Sequence, residues 1–245
     1  MNAKTEPPTS TAGDALRLLR EQSLSTLVRR EIEHQIISGE LAAGAKLNEQ
    51  DFSNELGVSR GPVREAFRAL EQAGLVRTEK NRGVFVRQVS LDEANEIYEV
   101  RAALDGMIGR LAATRIKPDQ LTRLKGVIKR MQAAERVLDA DRYFPLNLEF
   151  HEILAEAAGN SALTANYRRV VNELNLYRRA MLVLDADNIV RSTREHEAIV
   201  EAVAKRQAGV AEKLLFDHVI GSRERLHRAL AAPAARTGKA SRKAA

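Results

Sequence analysis

Three arginines, Arg60, Arg64 and Arg68, recur every four residues, and Val63, Phe67 and Leu70 recur among them at spacings of four and three. On a helix these sets form an arginine stripe in front and an apolar stripe behind. Guanidinium forks match base edges and phosphate oxygens, so such a helix suits the major groove of DNA. A second set is spread along the chain: His151, His196 and His218, with Asn147 one helical turn before His151. Each histidine falls in a different predicted helix, with apolar neighbours at or near helical spacing. Three imidazoles from three helices could converge on a divalent metal. On residue types alone, the commoner reading is surface or hydrogen-bonded core histidines. Arg101 can pair with Asp105 one turn on.

The arginine stripe needs a frame, and residues 47–86 read as one: a short helix, a tight turn, a second helix and a two-stranded wing. Asn48 is an N-cap candidate for a helix over 49–56, with Phe52 and Leu56 pointing inward. Gly57 ends that helix, Ser59 is the next N-cap candidate, and Pro62 falls in the first turn, where its missing N–H does no harm. Gly74 closes the second helix. Residues 76–79 and 84–87 alternate like strands around the turn Asn81-Arg82-Gly83. The wing tip thus carries Lys80 and Arg82, and Gly83 lets the backbone approach a phosphate or sugar. The window 60–87 has net charge +4. Phosphate contacts would supply most of the affinity and base contacts the sequence preference. Upstream, a helix over 25–38 would pack behind the pair through Leu27, Ile32, Ile36 and Ile37, with His34 at the surface.

The chain has 245 residues, 44% hydrophobic and 29% charged, enough for two modest domains, and a net charge of +6, which favours a polyanionic partner. With no cysteine, a disulfide framework, a cysteine zinc site and a cysteine nucleophile are all excluded. No apolar run approaches the roughly 18 residues of a spanning helix, and the N-terminus lacks a signal-peptide pattern, so the expectation is a cytoplasmic protein without membrane contact. Residues 1–20 and the basic tail 233–245 read as disordered.

Ser90 and Glu93 form a capping box just after the wing, placing a domain boundary near residue 89. The predicted domains are 21–89 and 90–232. From 91 onward only helices are predicted, over 91–115, 118–137, 139–158, 162–184, 188–205 and 210–230. Pro145 lies inside the third, which predicts a kink or a later start there. The fold class is therefore mainly α: a winged helix-turn-helix domain followed by a six-helix antiparallel bundle.

On residues 47–66, especially LGVSRGPVREA, together with LEQAGLV and the wing turn RG, the chain closely resembles the GntR family of bacterial transcription regulators. The resemblance implies that Arg60 and Arg64 contact bases and phosphates. Gly61 and Pro62 would sit near the DNA backbone, and Arg82 and Gly83 would serve the wing at the minor groove. Gln50 stands where several relatives carry arginine; it can hydrogen-bond but brings no charge. Residues 93–228 resemble the FCD effector domain of the FadR branch, through IYEVRAALDGMIGRLAA, NLEFHEILAEAAGN, EHEAIVEAV and LLFDHV. Six helices resemble the VanR-type subgroup. In such domains an aspartate and three histidines hold a metal such as Zn, Ni or Mn, beside an acidic ligand. The matching positions here are Asn147, His151, His196 and His218, so an amide replaces the carboxylate. Arg101 matches the arginine that meets an effector carboxylate.

The implied function is a homodimeric regulator, most simply a repressor, that binds a short palindromic operator and is released by a small organic acid. A constitutive DNA-binding protein whose bundle only dimerises is the second reading. A metal-dependent enzyme is a third, weakened because no nucleophile motif, phosphate loop or base-plus-orienter pair is present. The expectation is that the chain is not an enzyme.

Overall fold

The computed structural model describes residues 24–184 and 187–231, and the side chains of all of these except 175–184 and 229–231. The segments 1–20 and 233–245, expected to be disordered, lie outside the described residues. The chain divides into two compact units, one ending at Gln88 and one starting at Val89.

The first unit contains α1 (Leu24–Ser38), β1 (Lys46–Leu47), α2 (Glu49–Glu55), α3 (Arg60–Gln72), β2 (Val76–Glu79) and β3 (Gly83–Val86). In α1 the buried residues are Val28, Ile32 and Ile36, four apart. Leu27, expected inward, is 41% exposed. One step along a helix turns a side chain by about 100°, and Val28 takes the inward position instead. Asn48 caps α2, its Oδ1 accepting from the Gln50 N–H at 2.9 Å. Ser59 has the extended backbone of an N-cap but makes no side-chain capping bond. The buried face of α3 is Val63, Ala66, Phe67 and Leu70. Phe52 and Phe67 meet edge to face with ring centroids 5.8 Å apart, joining α2 to α3.

The wing is part of a three-stranded antiparallel sheet in the order β1-β3-β2, not an isolated two-stranded ribbon as expected. The extra strand pairs Lys46 with Phe85 and Leu47 with Val84. Two residues are too few to show alternation, so only a distant partner reveals them. β3 begins at Gly83, whose φ of 111° an L side chain rarely adopts.

The second unit is a bundle of α4 (Leu91–Arg115), α5 (Pro118–Arg136), α6 (Ala140–Ala157), α7 (Ser161–Leu184), α8 (Asp187–Ala204) and α9 (Ala208–Ala231). Ser90 Oγ accepts from the Glu93 N–H at 3.1 Å and opens α4. Helix α6 does not start late on account of Pro145. It begins at Ala140, where Asp139 caps it by accepting from the Arg142 N–H at 3.0 Å, and runs on through the proline. Pro145 removes one backbone bond, while Tyr143, Phe144, Phe150, Ile153 and Leu154 are buried on either side of it and hold the helix in the core. Helix α4 crosses α9 backbone against backbone. A Cβ at Gly109 would lie 2.5 Å from the Ala211 carbonyl oxygen and 2.8 Å from Leu215 Cδ1, so only glycine lets the two backbones meet.

Candidate DNA-reading face and buried histidine cluster

The side chains Arg60, Arg64 and Arg68 are exposed along α3. Two of them are held from α2. Arg64 Nε donates to Glu49 Oε1 at 3.1 Å and Nη2 donates to Oε2 at 2.9 Å, a bidentate fork. That hydrogen bond, with the charge of Arg64, holds the Glu49 carboxyl below its usual range. Arg60 Nη2 donates to Gln50 Oε1, and Gln50 Nε2 donates to Asn54 Oδ1 at 2.7 Å. Gln50 thus spends its amide on orienting an arginine. Gly61 is exposed and Pro62 half-buried in the first turn of α3. At the wing, Arg82 pairs with Glu79 and its guanidinium lies 5.6 Å from the Phe85 ring centre. Gly83 is exposed beside it. Arg77 Nη2 reaches the same Glu79 at 2.9 Å.

In the bundle, His151 on α6, His196 on α8 and His218 on α9 converge. One nitrogen from each lies within 4.8 Å of the others. Ring centroids are 5.3 Å apart for His151–His196, 5.3 Å for His151–His218 and 4.6 Å for His196–His218. All three are buried, and Phe150 stacks on His196 at 4.1 Å.

Each Nδ1 faces a polar side chain, hydrogen-bonded at His218 and His196, and within ion-pair range but without hydrogen-bond geometry at His151. For His218 it is Glu195 Oε2 at 2.6 Å. For His196 it is the Tyr143 hydroxyl at 3.5 Å, and for His151 it is Asp105 Oδ1 at 3.4 Å. Both carboxylates are themselves tied to buried arginines. Arg225 Nη1 donates to Glu195 Oε1 at 2.9 Å and Nη2 to Oε2 at 3.3 Å. Arg101 Nε donates to Asp105 Oδ2 at 3.2 Å, with both side chains 1% exposed. Two arginine–carboxylate–histidine chains therefore end on one cluster. Outer partners of this kind fix the tautomer and direction of a metal-binding imidazole.

Burial pushes the His218 pKa down, outweighing the pull of Glu195, so this ring is neutral at pH 7. Burial works against ionisation of Glu195 as well, but the hydrogen bond to His218 and the charge of Arg225 hold it below the usual carboxylate range. Tyr143 is pushed up to about 12 by burial and stays protonated. Neutral imidazoles are the form that ligates a metal. Asn147 is buried on the same helix as His151, and its Oδ1 has no hydrogen-bond partner. A neutral oxygen orphaned one turn from a histidine is the kind of donor that a cation would satisfy, so the donor set fits a divalent metal. Arg101 Nη1 and the Tyr98 hydroxyl are also buried without partners. Arg101 thus pairs with Asp105 through Nε while its Nη1 stays unpartnered.

The residue pattern singled out the three histidines, and the family resemblance gave them and Arg101 their expected roles. Both missed Asp105, Tyr143, Glu195 and Arg225 as outer partners. Glu195 adjoins His196, and its direction, about 100° away, sends it to His218 on the neighbouring helix.

Residues 24–86 match the model of the bacterial regulatory proteins of the gntR family, and residues 96–221 match the FCD domain. The chain belongs to the GntR family. This GntR regulator is 30% identical over 203 residues to the probable D-xylose utilization operon transcriptional repressor of Paenarthrobacter nicotinovorans, covering 82% of this chain and 88% of that one. It is 28% identical to the gluconate operon transcriptional repressor of Bacillus subtilis, covering 82% and 85%. Among solved structures, E. coli McbR/YncC superposes with a TM-score of 0.75 at 19% identity, over 84% of this chain and 98% of that one, and shares the fold. The chain is thus a transcription regulator with a GntR DNA-binding domain and an FCD domain. No described helix is long and apolar enough to cross a membrane.

Proposed function

We propose that this GntR regulator acts as a homodimer on a short palindromic operator and is released by a small organic acid bound in its FCD bundle. Arg60 and Arg64 read the major groove, held by Gln50 and Glu49. Gly61 and Pro62 allow close approach at the start of α3, and Arg82 and Gly83 serve the wing. In the bundle, His151, His196 and His218, with Asn147 as a neutral fourth donor, would hold Zn, Ni or Mn. The metal would supply positive charge and open positions for a carboxylate. Arg101 orients the acid through Nη1 while Asp105 keeps its Nε, and Tyr98 offers a hydroxyl beside it. The observation that carries this reading is the buried triad, with its ligand nitrogens within 4.8 Å, in a chain that also has an arginine-faced reading helix. The relative named for the gluconate operon supports an acid from carbon catabolism, and the one named for the D-xylose operon supports carbon catabolism alone.

To release DNA, the acid must bind one state of the protein better than the other. A coupling of about 1–3 kcal/mol changes operator affinity several- to a hundredfold. The test is metal analysis and thermal melting of the purified chain, before and after chelation, against a panel of small organic acids, with operator binding measured in parallel. Bound metal near one per chain, an acid that raises the melting temperature, and the same acid weakening operator binding are expected. No metal and no acid response would leave the second reading, a constitutive DNA-binding protein with a dimerising bundle.

A further inference from the structure

Helix α4 buries one face in the bundle and leaves a second, mostly apolar one open. Glu96, Val100, Ala103, Met107 and Arg110 follow one another at spacings of four and three, so they share one line along the helix. All five are exposed, Val100 by 53% and Met107 by 45%. Phe216 of α9, 42% exposed, lies alongside: its Cβ is 3.7 Å from where a Cβ on Gly106 would stand. Exposed apolar side chains grouped in this way mark a surface that expects a partner.

The charges on this line identify the partner. The stripe is acidic at Glu96, apolar through Val100, Ala103 and Met107, and basic at Arg110. Among the described residues neither Glu96 nor Arg110 has an ion-pair or hydrogen-bond partner. The pattern is self-complementary. In an antiparallel pair of α4 helices with the twofold axis at Ala103, Val100 packs beside Met107 of the second copy. At each end Glu96 meets Arg110 of the second copy. A twofold interface requires the same patch on both subunits to fit itself in this way.

We infer that the α4 stripe, flanked by Phe216, is the surface through which two FCD bundles of this chain pair, antiparallel, about Ala103. The inference rests on the homodimer reading and adds its location. Small Ala103 at the axis lets the two helices come close, and Phe216 widens the apolar area on each side. Glu96 and Arg110 set the register.

The chain has no cysteine, so Ala103→Cys introduces a single thiol. In the full-length protein, a short bismaleimide is expected to link two Ala103→Cys chains, and to leave Val137→Cys, exposed just past the end of α5, unlinked. Glu96→Arg should raise the dimer dissociation constant about tenfold, by setting like charges against each other at both ends. Arg110→Glu should do the same, and the double variant should recover pairing, which a merely structural role would not produce. Light scattering across a concentration series reads the assembly state in parallel. A dimer that ignores both charge reversals and is not linked at position 103 overturns this surface and leaves the homodimer standing. A chain that is monomeric at all concentrations overturns both.

Discussion

Replacing Glu195 by glutamine keeps the side-chain shape and removes the charge on which His218 and Arg225 converge. Arg225 is 5% exposed and Glu195 29%. Breaking a fully buried ion pair by removing one partner costs about 3–5 kcal/mol, because the other charge is left unpaired. Water reaches part of Glu195, and the amide oxygen of glutamine can still accept one bond, so a loss of about 2 kcal/mol is expected. For a chain of this size that lowers the melting temperature by about 4–8 °C. The second effect is on the cluster. With glutamine, His218 and Arg225 compete for one neutral amide oxygen in place of two charged ones, and weakening such an outer partner lowers metal affinity by about ten- to a hundredfold. Thermal melting of the chelated protein reads the first effect, and zinc titration against a competing indicator reads the second. A variant that melts within about a degree of the parent and binds zinc equally well would refute the claim that the Arg225–Glu195–His218 chain organises the site.

Arg64→Ala should weaken specific operator binding by about ten- to a hundredfold while the melting curve is unchanged, since Arg64 is exposed; fluorescence anisotropy on operator and scrambled duplexes measures both. His196→Ala should abolish metal-induced stabilisation, which is about 2.7 kcal/mol for the parent at a hundredfold excess over the dissociation constant. Basal DNA binding should persist, because the reading helix belongs to the other compact unit. Stability of the chelated protein should fall on acidification. Native His218 titrates below the ordinary value of 6.5, so between its native value and 6.5 the unfolded chain binds more protons. Its contribution is full above pH 6.5 and is lost as pH falls through that window. Glu195, held below 4.5, adds a further loss at lower pH by the same sign. Urea midpoints at pH 7.5, 6 and 5 would show the first of these as a steady decline.

The helices of both units were legible because their boundaries are written locally. Asn48 and Ser90 cap helices with their own side chains, and the apolar positions of α3 recur with the helical period. What stayed hidden depends on partners far along the chain. β1 exists only because Lys46 and Leu47 find Phe85 and Val84. Leu27 and Val28 are neighbours with equal claims to the core, and only the packing of α1 decides between them. The histidines were legible as candidates one by one. Their convergence was implied by the family resemblance and not by the residue types, because it depends on how α6, α8 and α9 cross. Arg101 and Asp105, four apart on one helix, were readable as a pair, but the approach of Asp105 to His151 on another helix was not.

The contact at Gly109 has a mechanical consequence. With the Ala211 carbonyl against its backbone, the crossing of α4 and α9 has no slack left for the helices to move closer. It can still rock, and so works as a fulcrum. His218 lies seven residues beyond Ala211, a lever arm of roughly 10 Å, and Phe216 lies between them. On the proposed sensor reading, a pull on His218 by a bound ligand would leave this contact in place and would reach Phe216, on the outer surface, as a tilt of α9.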